Sequence, residues 1–550
     1  MSKNLSALSG RKGLHRNLFE QMGNAAVSGN GTPTPEALSQ LADEFLMGEA
    51  NTYGSITAYD FMKPENRGKE IYICNGSACL CAGTQDNVLE KVMQHFDADS
   101  VGHMTCLGRC HENSSFHFNG KNYSGSSIED LENIVSSGKG NQNGHYSVTS
   151  AVRLLTEPFN SIKEFKTLLQ HSLQRPSADL LNEIKLSQIR GRGGAGFPMG
   201  IKWEGCRNEI SDDKFIICNA DEGDPGAFSD RYLLEERPLL VLFGMLVAGI
   251  CTGANLGVLF IRAEYPEAVR VVEEKIRELY ANNLIGSNIM GSGFTFNFKV
   301  IKAQGAYICG EETALINAIE GQRPEVRTRP PFPTQQGLFL KPTVVNNVET
   351  LAAAAWIVRN GGEAYAALGT EKSRGTKLVS LDGIFNKPGI VEVEMGTTME
   401  KVIYEYGGGF RKPVKALHIG GPLGGIVPVE KIPALSVDFE SFATEGFLLG
   451  HASVVCIPSD FPMIKYLEHL FEFAAFESCG KCFPCRLGTK RAHEMLHEAA
   501  HNMKTVNREL FMDLLSTLQQ GSLCAHGGGI PLPARNALMY FADELNLHFN

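Results

Sequence analysis

Eight of the chain's fourteen cysteines fall into two sets whose spacing leaves the backbone around them little freedom. Cys479, Cys482 and Cys485 stand three residues apart in SCGKCFPCRLG, and Cys524 follows in GSLCAHGGG. This C-x2-C-x2-C run gathers three thiolates around one loop, close enough for three corners of a cubane, and a distant fourth closes it. Zinc usually takes its ligands as two separated pairs, so the tight triplet reads as a [4Fe–4S] site. The second set is Cys74 and Cys79 in CNGSAC with Cys106 and Cys110 in CLGRC. Two separated pairs suit zinc and [2Fe–2S] equally. Gly76 and Gly108 would let backbone amides turn toward sulfur, which favours the cluster. Cys81 rivals Cys79 for the second position. Cys206, Cys218, Cys251, Cys309 and Cys456 are isolated and read as small buried hydrophobes.

The compartment supports metal rather than disulfides. The basic N-terminus has no apolar signal-peptide core, and no run reaches the roughly 18 apolar residues of a membrane span. The nearest, Leu239 to Leu256, is diluted by glycine and polar residues and reads as a buried helix. A cytoplasmic chain is expected, where clustered cysteines bind metal. The net charge of −10 argues against a nucleic-acid or anionic-membrane surface.

At 550 residues the chain exceeds a single core, so two to four domains are expected. Residues 1–55 read as a partly helical segment, turn-rich at 29–35 and helical in PEALSQLADEFLMG. Residues 56–136 form a small α/β unit: KEIYIC alternates like a strand, DNVLEKVMQHF has helical spacing, and FHFNGKNYSG carries an Asn-Gly hairpin signal. Residues 137–148 are a polar, glycine-rich linker. Residues 149–376 alternate strands (KFIICNA, LGVLFIRAEY, FTFNFKVI) with helices, the pattern of an α/β sheet. Residues 377–440 are β-rich, and 441–550 are mostly helical.

Glycine concentrates where backbone must approach something closely. RGRGGAGFPMGIKW (190–203) has five glycines and then Lys202. It follows a helical pattern, so it is not the classical dinucleotide fingerprint, but its bare N–H groups suit a phosphate or a flat ring. NADEGDPGAFSDR (219–231) packs Asp221, Glu222 and Asp224 into four positions after a strand. AYICGEETAL puts Glu311 and Glu312 at a helix start, where the dipole tolerates acids. RPPFP sets Phe332 beside Arg329, and NNVET offers side-chain amides. Together they supply a phosphate cradle, polar groups for a ribityl chain and a ring for stacking.

In this order GRGGAGFP-x-G-x-KW, CNADEG, GAYICGEETAL, RPPFP, NNVET and CGKCFPCRLG resemble the NADH-binding, FMN-containing subunit of complex I and of soluble NAD-linked hydrogenases and formate dehydrogenases. The likeness runs from about residue 150 to 550. Residues 56–136 resemble the thioredoxin-like [2Fe–2S] subunit that accompanies it, here fused. The resemblance implies an α/β multidomain fold: a thioredoxin-like domain, a non-classical Rossmann-like FMN domain, a ubiquitin-like β-grasp domain and a C-terminal helical bundle. It implies that Gly191, Gly193, Gly194, Lys202, Asn219, Asp221, Tyr307, Asn346, Asn347 and Thr350 hold FMN. Phe197, Glu312, Arg329 and Phe332 would line the NAD(H) side, with Glu222 and Glu311 also among the cofactor contacts and Asp224 and Glu312 near the nicotinamide. The eight cysteines would hold one [2Fe–2S] and one [4Fe–4S] cluster.

Three positions depart from the respiratory pattern: Asp224 for Glu, Gly205 for an aromatic and Arg329 for Lys. Asp224 is familiar in hydrogenase-type and electron-bifurcating relatives, although no further ferredoxin-like cysteine set follows residue 524. The expected activity is that of a diaphorase. Its partners would be an iron–sulfur electron-carrier subunit and a hydrogenase or formate dehydrogenase. A bifurcating subunit working with ferredoxin, or a complex I-like NADH dehydrogenase subunit, is the alternative. No side chain is expected to act as acid or base.

Overall fold

The computed structural model describes residues 34–138 and 146–550, with Phe19, Gln21, Met22 and Ala25 before them. The expectations for the basic N-terminus, for most of the 29–35 turn and for most of the linker lie outside the described residues.

The helix expected after the turn is Pro35–Glu44, started by Pro35 and capped by Thr34, whose hydroxyl accepts from Ala37 N–H at 3.2 Å. A second helix, Glu49–Ile56, follows. Leu41, Phe45, Ile56, Tyr59 and Met62 bury against Phe215, Ile217, Val258 and Phe260 of a sheet more than 150 residues away in sequence. The segment thus covers one face of that sheet.

The small α/β unit holds β1 (Ile71–Cys74), β2 (Val101–Met104), β3 (Phe116–Phe118) and β4 (Lys121–Tyr123) in the order β2-β1-β3-β4. β1 and β2 are parallel; the other neighbours are antiparallel. This is the thioredoxin-like domain. The Asn-Gly signal is the β3–β4 turn, with φ of 49° at Asn119 and 70° at Gly120, as a type I′ turn requires.

β5 (Val148–Ser150) belongs to a later sheet. β6 (Phe215–Ala220), β7 (Leu256–Ile261), β8 (Asn297–Lys302) and β9 (Thr343–Asn347) form a parallel sheet in the order β8-β7-β6-β9. Buried on both faces, its strands are nearly continuous apolar runs. The face opposite the N-terminal helices packs on Pro238–Thr252, the buried helix expected from its composition, and on Val348–Asn360. A Cβ at Gly244 would stand 1.8 Å from Leu351 O, so only glycine lets these helices approach so closely.

β10 (Thr376–Leu381), β11 (Gly389–Glu394), β12 (Val414–Ile419), β13 (Gly425–Pro428) and β14 (Ser453–Pro458) form the third sheet, with β5, in the order β13-β12-β14-β10-β11-β5. Two expected divisions need correction. β14 lies beyond 440 yet sits inside the sheet, parallel to β10 and antiparallel to β12. β5, expected at the start of the preceding domain, pairs with β11. SVVCIP is a short apolar run beside helices, where periodicity cannot separate strand from helix. The C-terminus is helical as expected, beginning with Met463–Phe476, the loop 477–482 and Phe483–Ala500, followed by Arg508–Gly521. Among the described residues no helix is long and apolar enough to cross a membrane.

Candidate functional site

The glycine-rich loop follows the helix Ser177–Leu186 and is tied at its mouth by Gly191 N–H to Phe197 O at 2.9 Å. Its middle is held from below. Arg192 N–H donates to the Thr350 hydroxyl at 2.8 Å, and the buried Arg192 guanidinium donates to the Tyr365 hydroxyl at 3.1 Å. A Cβ at Gly193 would meet Asn347 at 3.1 Å, and Gly194 has a φ of 110°. The chain there is bare backbone presented to whatever lies above it. Thr350 supports that loop from a fully buried position.

The acids lie where β6 ends. The Asn219 side chain spans the gap, donating to Gly310 O at 2.8 Å and accepting from Asp221 N–H at 3.1 Å. Asp221 Oδ2 is buried without a hydrogen-bond partner, and burial pushes the Asp221 carboxyl well above its ordinary range. Such an orphan costs about 1–3 kcal/mol unless something satisfies it. Asp224 accepts from the Tyr307 hydroxyl at 2.8 Å, and burial raises it too. Gly421 fits close beneath: a Cβ there would stand 2.6 Å from Asp224 Cγ.

Two expected cofactor contacts, Glu222 and Glu311, also use carboxylate oxygens within the protein, while Glu311 Oε1 is buried without a hydrogen-bond partner. Glu222 accepts from Asp230 and Arg231 N–H at 2.9 and 3.1 Å, from the Ser229 hydroxyl at 3.2 Å and from the Tyr265 hydroxyl at 3.1 Å. It thereby caps the helix Ser229–Glu236, and burial pushes it up to about 7. Glu311 caps Glu312–Ile319 through Thr313 and Ala314 N–H, both at 2.9 Å. Those N-terminal donors had to be satisfied, and the carboxylates do it.

On the open side, Lys202 Nζ donates to Val345 O at 3.0 Å and to Glu312 at 3.1 Å. Arg329 pairs with Glu312 at 3.0 Å and with Glu311 at 3.5 Å. Asn346 accepts from Trp203 Nε1–H at 2.8 Å. Two aromatic rings flank this frame in the open, Phe197 at 51% and Phe332 at 52% exposure.

The structure brings Cys74, Cys79, Cys106 and Cys110 together. Cys74 neighbours Cys106 and Cys79, and the sulfurs of Cys106 and Cys110 lie 3.2 Å apart. The Gly108 backbone helps hold the Cys106 thiol low, and the Gly226 backbone of the neighbouring domain acts on Cys110 in the same sense. Cys81 turns away: burial raises its thiol, and its charged neighbours are Asp382, Lys412 and Lys415.

The second set, Cys479, Cys482, Cys485 and Cys524, gathers around two helix starts. Cys482 precedes the helix Phe483–Ala500, Cys485 lies in its first turn and Cys524 precedes Ala525–Gly529. Burial pushes Cys485 up to about 12; its neighbours are Ser478, Cys482, Cys524 and Cys479. Burial lifts Cys524 to about 11 against N–H donation from His526 and Gly527. Glu477, beside this loop, accepts from Tyr307 N–H at 2.8 Å, so thiols and cradle share a brace.

Sequence reasoning missed the residues that lock these parts together. Arg231 reaches Leu107 O at 2.6 Å and Arg262 reaches Thr105 O at 3.1 Å, both from the sheet domain into the thioredoxin-like one. His451 lies 3.3 Å from Asp230 and 3.6 Å from Glu222. Arg231 ends the acidic motif 219–231, but its role was not legible there, because each of these residues acts through partners distant in sequence. The glycine cradle, the orphaned Asp221 oxygen and the two thiol sets fit a flavin phosphate and ribityl chain and two iron–sulfur clusters.

Three family models match the chain: the Nuo51 FMN-binding domain over residues 184–356, the NADH-ubiquinone oxidoreductase-F iron-sulfur binding region over 465–548 and the thioredoxin-like [2Fe-2S] ferredoxin over 24–139. The NADP-reducing hydrogenase subunit HndC of Solidesulfovibrio fructosivorans is 40% identical over 68% of this chain and 76% of its own length. The mitochondrial NADH-ubiquinone oxidoreductase 51 kDa subunit of Neurospora crassa is 36% identical over 66% of this chain and 76% of its own. NAD-reducing hydrogenase HoxS subunit alpha of Cupriavidus necator is 36% identical over 70% and 63%. A crystal structure of NAD+-reducing [NiFe]-hydrogenase in the H2-reduced state superposes with a TM-score of 0.85 at 27% identity, covering 98% of this chain and 92% of that one. The chain therefore belongs to the family of NADH dehydrogenase-type oxidoreductase subunits that carry FMN and a [4Fe–4S] cluster in complex I and NAD-linked hydrogenases, here with a thioredoxin-like [2Fe–2S] domain at its N-terminal side.

Proposed function

We propose that this chain is the diaphorase subunit of a cytoplasmic complex, moving electrons between NAD(H) and a hydrogenase or formate dehydrogenase through an iron–sulfur carrier subunit. The observation that carries the reading is the cradle: an orphaned, buried Asp221 oxygen and bare glycine backbone flanked by exposed Phe197 and Phe332, in a chain holding both thiol sets. The likeness to subunits of NAD- and NADP-reducing hydrogenases supports the partner class. FMN, when bound, would accept an electron pair as one hydride and release the two electrons singly, as clusters require.

The protein's share is positioning and electrostatics. Gly191, Gly193 and Gly194 would present N–H groups to the phosphate, with Asn219, Asp221, Asn346 and Asn347 around the ribityl chain. Lys202 and Arg329 are held in place by Glu312, so Lys202 would meet FMN and Arg329 the NAD(H) without further ordering. Tyr307 fixes Asp224, which would face the nicotinamide ribose. Cys74, Cys79, Cys106 and Cys110 would hold the [2Fe–2S] cluster, and Cys479, Cys482, Cys485 and Cys524 the [4Fe–4S] cluster.

The decisive experiment isolates the chain with its native partners under anaerobic conditions. FMN, iron and the co-purifying subunits are assayed, with viologen reduction driven by NADH and by NADPH. The reading requires a hydrogenase or formate-oxidising subunit among the partners and faster reduction with NADH. Recovery of complex I membrane subunits would overturn the partner, and equal rates would overturn the nucleotide preference.

A further inference from the structure

Away from the cradle and both thiol sets, the helical hairpin gathers another group of donors. His493, His497 and His501 stand four residues apart along the helix Phe483–Ala500 and at its end. That spacing stacks side chains on one helix face. From the facing helix, Glu468 reaches across: Oε1 lies 2.6 Å from His497 Nδ1 and 3.8 Å from His501 Nδ1. One donor atom from each of Glu468, His493 and His497 lies within 4.8 Å of the others. Glu468 and His493 are half-buried and His497 is exposed, so the group is a cup open to solvent.

Histidines near a helix C-terminus often serve its free carbonyls, and His501 does so by bonding His497 O at 2.9 Å. That accounts for His501. It does not account for His493, two turns earlier, or for a carboxylate converging with two imidazoles. We propose that Glu468, His493 and His497 form a site for a borderline divalent transition cation, Zn2+ or Ni2+, completed by solvent. Imidazole donors favour these ions, and one carboxylate offers too few oxygens for Ca2+ or Mg2+. A tetrahedral zinc with bonds of about 2.0–2.1 Å sets its ligands roughly 3.3 Å apart. Side-chain torsions of a partly exposed trio close that difference without backbone movement. Occupied, the site pins the two helices together near the end opposite the loop that carries Cys479 and Cys482.

The test titrates ZnCl2 into the holoprotein with FMN and both clusters in place, counts retained zinc and records the zinc K-edge absorption spectrum. One zinc per chain is expected, with a nitrogen and oxygen shell at about 2.0–2.1 Å and no sulfur at about 2.3 Å. His493→Ala with His497→Ala should weaken binding at least about tenfold, leaving iron, FMN and NADH-driven dye reduction unchanged. His497→Gln alone, at a side chain 48% exposed, should weaken it in the same sense without threatening the fold. Sulfur around the zinc with loss of iron, or binding undiminished in both variants, would overturn the proposal.

Discussion

His451 shows how much one buried side chain can tie to pH. It stands between Asp230 and Glu222, and although burial alone would lower it, Asp230 and its hydrogen bond raise it to about 9. A histidine whose folded pKa exceeds its unfolded value near 6.5 contributes stability that is present below that value and lost as pH rises through about 9. The full shift corresponds to about 3 kcal/mol. Chemical denaturation of the holoprotein should therefore show stability falling between about pH 6.5 and 9, and His451→Gln should flatten that fall. An unchanged slope would remove His451 from the account. Gly421→Ala tests Asp224 at the same scale. Its Cβ, in a backbone with φ of 81°, would stand 2.6 Å from Asp224 Cγ and displace it from the Tyr307 hydroxyl. NADH-driven ferricyanide reduction should drop at least about tenfold in kcat/KM, the loss of about 1.4 kcal/mol at the transition state, with FMN retained. The residues that the structure gathers at the candidate site were conspicuous in the sequence, because glycines, clustered acids and cysteines are costly to place without a purpose. The capping roles of Glu222 and Glu311 were not legible, because a capping carboxylate and a binding carboxylate look alike until the helix N-termini are seen.

At the scale of elements, the site is a junction of strand ends and helix starts. β9 ends in Asn346 and Asn347, and Asn347 caps the next helix by accepting from Thr350 N–H at 3.0 Å. Thr350 then holds Arg192 N–H, so a strand, a helix and a glycine loop share one threonine. Thr350→Val keeps the shape and removes the acceptor, leaving a buried N–H unsatisfied at a cost of about 1–3 kcal/mol. FMN should be lost on desalting from this variant while the iron content stays level. The [4Fe–4S] loop has an equivalent constraint at Gly527, whose Cβ would lie 2.4 Å from Ser522 Oγ and 2.8 Å from Cys485 Cβ. Gly527→Ala should lower iron per chain by roughly two-thirds, since the larger cluster holds most of the iron and the smaller one is untouched. The helices of this scaffold were readable because Ser177–Leu186 and Pro266–Ala281 carry clear 3.6-residue patterns. β9, β5 and β14 were not. Each is a short strand recognised by its neighbours in a sheet, and those neighbours come from elsewhere in the chain.

Across the whole molecule, the thioredoxin-like domain is fastened to the FMN domain by buried charge as well as by apolar surface. Arg231 is fully buried, binds Glu235 and Glu267 at 2.7 and 2.9 Å, and donates across the boundary to Leu107 O between Cys106 and Cys110. Arg262 does the same to Thr105 O while pairing with Glu264 at 2.6 Å. Tyr265 packs against Gly108, where a Cβ would meet the ring at 2.5 Å, and Asn122 donates back to Glu264 O at 2.6 Å. These contacts fall on the loop that carries Cys106 and Cys110, so the geometry of one thiol set depends on the neighbouring domain. Removing one partner of a buried pair strands the other charge, at about 3–5 kcal/mol. Arg231→Met keeps the bulk but leaves Glu267 without its guanidinium. Hydrogen exchange should then rise in residues 105–113 and 222–231 together, while residues 483–500 keep their protection. If exchange rose in only one of the two loops, the docking would rest on apolar packing and the charge network would be incidental to it. Joint opening would show that the two domains share a single cooperative boundary, with the loop of Cys106 and Cys110 on one side and the acids of the candidate site on the other.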